Sequence, residues 1–132
     1  MLRTFIQFAA PGLTVDAVPL HVEIARTPEE RRQGLADRES IAPGSGMAFV
    51  WPYPTREVFT MERTYFPLDI MWLNREGYVL AMTEAMARDQ HPIVSPVPYQ
   101  FVIEAPRGYA RYWSIGVGTP VLGLKEYANS AV

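Results

Sequence analysis

The chain has 132 residues, of which 48% are apolar and 20% charged, with a formal net charge of −2. That length fits one domain able to bury its own core, and the apolar share excludes a disordered chain. The absence of cysteine excludes disulfides, thiolate nucleophiles and zinc–sulfur sites, and a weak net charge with scattered Lys and Arg argues against a dedicated nucleic-acid binder.

In chain order, Met1–Ala10 reads as a first strand. It has one arginine and a short apolar run interrupted by Gln7, so neither a signal peptide nor a membrane anchor is expected, and a cytoplasmic location is the default. Pro11-Gly12 predicts a turn. From Val18 to Ala25 the residues Val18, Leu20, Val22 and Ile24 alternate with Pro19, His21 and Glu23, the period-two pattern of a half-buried strand. Thr27-Pro28-Glu29-Glu30 then predicts a helix start: Thr27 can cap, Pro28 suits the first helical position, and Glu30 can reach back. This helix should end near Gly34, with Leu35 and Ile41 as its anchors and Arg31, Arg32 and Gln33 on a solvated face.

Pro43-Gly44-Ser45-Gly46 turns the chain into Met47–Trp51, read as a buried strand. Gly44 and Gly46 flank one serine, but no G-x-S-x-G is present and the order is turn to strand, so a nucleophile elbow is set aside. Trp51-Pro52-Tyr53-Pro54-Thr55-Arg56 reads as a loop. Its rings can stack a sugar or a peptide, or they can cap one end of the core; the exposure of Trp51 separates the two.

The stretch from Phe59 to Leu73 is the centre of the chain's pattern. Phe59 and Met61 alternate with Thr60 and Glu62 as in a strand, and Leu68–Leu73 is apolar on both sides except at Asp69. Pro67 forces a corner between the two. A carboxylate between Leu68 and Ile70 needs partners, and backbone N–H groups, Thr64 or Arg63 can provide them. Arg63, Thr64 and Asp69 are therefore read as a structural corner, against the alternative of a general base at a strand end.

Asn74–Gly77 predicts a hairpin turn, Tyr78–Met86 a returning strand, and the proline-rich 87–98 a loop. Asp89 and His91 lie two apart in that loop, but with His21 the only other histidine no metal site is expected. Phe101–Glu104 reads as a strand, Pro106–Ser114 as a short helix with Tyr109, Tyr112 and Trp113 on one face, and Val121–Leu124 as a last strand. The tail 125–132 is expected to be loosely held. The tally is a mainly β, compact barrel-like or sandwich domain of about eight short strands with two short helices, spanning 1–132 as a single domain.

Ala25–Leu35, Gly46–Val50, Phe59–Asp69, Gly77, Val102–Gly108 and Ile115–Gly118, in that order, resemble the bacterial and archaeal family called domain of unknown function 192. The resemblance covers about 20–122. It implies a small, mainly β, barrel-like fold with two short helices, and it brings no activity, cofactor or substrate. Members of that family occur with and without an export leader, and relatives are carried by some viruses of bacteria. The chain departs from the family at Ala36, where a methionine is usual, and in an N-terminal strand or arm over 1–12.

With no catalytic constellation in view, the first functional expectation is a non-catalytic binding or assembly module, without cofactor or metal. A protein partner or self-association is expected ahead of a small molecule, and neither nucleic acid nor membrane is expected. Trp51, Tyr53, Arg56 and His91 are the candidate binding residues. One alternative is a structural accessory protein of a larger particle such as a phage virion. The other is a carboxylate-dependent hydrolase or sugar-modifying enzyme using Glu62 and Asp69 with Arg63.

Overall fold

In the computed structural model, which describes residues 1–9 and 18–132, β1 (Leu2–Phe8) and β2 (Val18–Ala25) pair antiparallel, Leu2 opposite Ile24 and Phe8 opposite Val18. The alternation seen in the sequence has its physical consequence here: Leu20, Val22 and Ile24 are fully buried, while His21 and Glu23 are half-buried on the other face. The expected turn at Pro11-Gly12 lies outside the described residues.

Helix α1 (Pro28–Gln33) starts as its residues dictate. The Glu30 N–H donates to Thr27 Oγ1 at 3.1 Å, and the Glu30 carboxylate accepts from the Arg26 N–H at 3.1 Å. It stops at Gly34, whose φ of 49° suits a residue without a side chain. The crossover through α1 lets β3 (Ser45–Thr55) run parallel to β2, Ser45 beside His21 and Phe49 beside Ala25.

The remaining strands are β4 (Leu68–Leu73), β5 (Val79–Ala85), β6 (Tyr99–Pro106) and β7 (Val121–Leu122), giving one seven-stranded sheet in the order β5-β4-β6-β3-β2-β1-β7. Both β4 and β6 lie between neighbours and are buried almost throughout. The sheet curls until its ends touch. Val79 N–H donates to the Thr119 carbonyl at 3.0 Å and Val121 N–H to the Gly77 carbonyl at 2.8 Å, so the fold is a half-barrel.

Each face carries its own core. On one, Ile6, Phe8, Leu20, Val22, Ile24, Val50, Met71, Phe101 and Ile103 pack under α2 (Tyr109–Tyr112). On the other, Met47, Phe49, Trp51, Leu68, Ile70, Trp72 and Val102 pack under Leu35, Met61 and Phe59. Among the described residues no helix is long and apolar enough to cross a membrane.

Four local expectations are corrected. Among the described residues there are seven strands rather than about eight, because Phe59–Met61 is not one: Phe59 makes a lone two-bond bridge with Ile93, after which the chain turns, with Thr64 N–H on the Met61 carbonyl. The proline-rich 51–55 belongs to β3 instead of a loop. Beyond Phe49 that strand has left β2, and a register shift between Val50 and Thr55 absorbs Pro52 and Pro54 where no ladder donor is needed. The second helix is a single turn, and Tyr112 stays 77% exposed while Tyr109 and Trp113 pack on the core. The tail is not loose: Lys125–Ser130 forms a 3₁₀ helix, the fold's third short helix, flanked by buried Leu124 and Ala131, and Val132 N–H donates to the Arg26 carbonyl.

Candidate functional site

Alternation along β4 decides where each acid goes. Asp69 shares its face with Met71, while Leu68, Ile70 and Trp72 point to the opposite face. Asp69 is 4% exposed, and its Oδ2 accepts from Gly108 N–H at 3.1 Å and Ala110 N–H at 3.0 Å. It thus holds the start of α2 to β4. Thr64 and Arg63 lie elsewhere, beside a cleft over the other face. Arg63 makes a two-point ion pair with Asp37, whose N–H also donates to the Arg63 carbonyl at 2.8 Å. The three expected corner residues are therefore not brought together, and Glu62 is separated from Asp69 by the sheet.

The cleft has a volume of about 750 Å³ and lies between α1 with its following turn and the segment 57–64. Phe49, Trp51 and Phe59 supply its aromatic wall. Their rings meet edge to face or stacked, with Phe49–Phe59 at 5.2 Å and Trp51–Phe59 at 6.1 Å between centroids. Trp51 is only 3% exposed. Its Nε1–H donates to a Glu57 carboxylate oxygen at 3.0 Å, and the Arg31 guanidinium sits 5.2 Å from its ring centroid. By the exposure criterion its indole belongs to the core wall and offers no free stacking face. Tyr53 also lines the cleft, 67% exposed.

The other two candidate binding residues lie away from it. Arg56 reaches the Ser95 and Pro96 carbonyls at 3.4 and 3.5 Å, and His91 is exposed with its ring nitrogen 2.7 Å from Asp89. Burial of the Tyr99 hydroxyl, which donates to the Glu57 carbonyl, raises its pKa well above the usual tyrosine value.

At the base of the cleft is a residue that sequence reasoning passed over. Glu104 lies on β6 between Met47 of β3 and Ile70 of β4, is 5% exposed, and lines the cavity. No side chain or backbone group among the described residues donates to its carboxyl. Burial alone pushes the Glu104 carboxyl up to about 8, with no charged neighbour contributing. At neutral pH it is a protonated acid with donor and acceptor unused. In the same layer the Trp72 Nε1–H is buried with no acceptor among the described residues.

Two of the three arginines that line the cleft are occupied, and the third, Arg32, is exposed. Arg31 donates to the Val50 carbonyl at 2.9 Å and the Val132 carbonyl at 2.7 Å, Arg63 holds Asp37, and Arg38 grips Glu23, two strands along the same row. That grip holds the Glu23 carboxyl below the usual range. The signal for Glu104 was present in the sequence, since an acid inside Phe101–Ala105 has the same apolar flanks as Asp69.

A seven-stranded half-barrel is the class of fold to which the comparisons point. The family model DUF192, described as "Uncharacterized ACR, COG1430", matches residues 12–122, and the chain belongs to that family. The chain is similar to a crystal structure from Sinorhizobium meliloti 1021 described as "a putative transcription regulator", with 25% identity, a TM-score of 0.87, and 94% of this chain and 95% of that chain covered. A protein of unknown function from Novosphingobium aromaticivorans DSM 12444 is also similar, with 26% identity, a TM-score of 0.82, and 92% and 85% of the two chains covered. No curated protein matches the sequence. The family carries no established function.

Proposed function

We propose that the protein is a non-catalytic binding module whose ligand enters the cleft above Glu104. The observation that carries this reading is a carboxyl 5% exposed, without a partner among the described residues, at the base of a 750 Å³ cavity. An unpaired polar group in such a place costs stability unless something from outside completes it. The cavity is within the range of known ligand sites, and apolar walls with a few polar groups are their usual composition.

Exposed Tyr53 and Val58 on the rim favour a segment of a partner protein over a free small molecule. A net charge of −2 supports leaving nucleic acid out of the reading. A cytoplasmic location, or one within an assembled particle, is part of this reading. A binding role is preferred to catalysis because no group among the described residues hydrogen-bonds to the Glu104 carboxyl, and Asp69 lies on the opposite face.

The test is a ¹⁵N spectrum titrated with small probes of differing charge (methylguanidinium, n-butylammonium, acetamide, acetate and glucose) and with short basic and acidic peptides. The indole signal of Trp51 reports on the cleft. At least one class should shift it; a panel that leaves Trp51 and its neighbours unmoved overturns the reading.

A further inference from the structure

Resting on that reading, we infer that the cleft receives an organic monocation, an alkylammonium or guanidinium group, which pairs with the Glu104 carboxylate beneath the rings of Phe49 and Phe59.

The first support is the missing counter-charge. The cleft is lined by Arg31, Arg32 and Arg63, yet none of these donates a hydrogen bond to Glu104. Arg63 is held by Asp37, and Arg31 by two backbone carbonyls and the face of Trp51. Once ionised, the acid therefore has no paired cation among the described residues, and one can come from outside.

The second support is the wall. Phe49 and Phe59 line the same cavity as Glu104, and aromatic rings around a carboxylate are the surroundings that favour an organic cation over a hydrated inorganic one. A cation that enters gains a charge-assisted hydrogen bond, stronger than one between neutral groups. A neutral amide can also satisfy a protonated acid, and an anion can seek the arginines. The three chemistries respond differently to pH and to substitution.

The charged groups that share the cleft or the strand row with Glu104 are few enough to name. From α1 they are Arg31 and Arg32, from 57–64 they are Glu57, Glu62 and Arg63, from β3 Tyr53, and from β2 Glu23 with its Arg38. Binding of a permanent cation requires the ionised acid, which releases a proton. Below about 8 the affinity should rise with pH, and above it should level off.

The experiment follows Trp51 in the intact chain while methylguanidinium, n-butylammonium, acetamide and acetate are titrated between pH 6 and 9, with a short arginine-containing peptide as a further arm. The expected result is cation binding that tightens about 50-fold from pH 6 to pH 8 and is lost in Glu104→Gln, whose fold is checked by circular dichroism. Binding of both free cations and peptide supports a small-molecule source. Binding of the peptide alone supports a basic side chain of a partner protein, with the same chemistry at Glu104. Acetamide or acetate binding without cation binding overturns the inference and leaves the cleft reading intact, as does cation affinity that is flat with pH or persists in Glu104→Gln. If no probe binds, both fall.

Discussion

Gly46 stands so close to Glu104 that a Cβ placed on it would lie 2.2 Å from the Glu104 carbonyl oxygen and 3.3 Å from the Leu20 side chain. That approach fixes the spacing of β3 and β6 beneath the cleft, and backbone cannot yield as a flexible side chain does. Gly46→Ala should therefore cost roughly 3 kcal/mol or more, read as a lower urea midpoint. An alanine variant as stable as the parent would show that the strands can separate freely here.

Asp69 and the first turn of α2 form a second fixed point. Removing its carboxylate strands the N–H groups of Gly108 and Ala110, both of which donate to the same oxygen. Asp69→Ala should cost about 2–4 kcal/mol in denaturant unfolding, and Asp69→Asn less. Because Asp69 lies on the opposite face, cleft binding in the folded fraction should be unchanged; a lost ligand response with full stability would contradict this role.

Thr27 supplies the side-chain cap of α1, which forms one bank of the cleft. Thr27→Ala should lower stability by about 1 kcal/mol, and Thr27→Ser should restore most of it. Urea unfolding of the two variants checks this. Equal losses in both would mean that the hydroxyl is not what matters.

These local features were legible because their causes are local. Thr27-Pro28-Glu29-Glu30 contains its own cap, and Val18–Ala25 its own alternation. The illegible parts depend on distant chain. Pro52 and Pro54 argue against a strand until β3 is seen to part from β2 and shift register on β6. Phe59 and Met61 alternate as a strand would, but only Phe59 is paired, with Ile93. Asp69 and Glu104 have the same apolar flanks; only the pairing of β4 and β6 sends one to backbone donors and leaves the other bare. The candidate residues Trp51 and Tyr53 reached the cleft, whereas Arg56 and His91 did not, since loop composition does not encode which loops meet.

Glu104 also sets an unusual pH dependence of stability. A carboxyl at 4.5 in the unfolded chain and about 8 in the fold keeps its proton only in the folded state across that interval. Stability should therefore fall as pH rises from about 4.5 to about 8, by about 1.4 kcal/mol per unit and roughly 4–5 kcal/mol in all, then level off. The acids held low by arginine or histidine, Glu23, Asp37 and Asp89, act in the opposite sense and at lower pH: their contributions are lost as pH falls through their lowered values. Chemical unfolding of the parent and Glu104→Gln from pH 5 to 9 isolates the effect, with the variant gaining on the parent throughout that rise.

The most direct measurement is the titration of the Glu104 carboxyl carbon itself, by ¹³C NMR, with and without methylguanidinium. A midpoint near 8 in the free protein, moving down when the cation is present, is the predicted result. An ordinary midpoint near 4.5, unmoved by the cation, would mean that the base of the cleft is neither dry nor waiting for a partner.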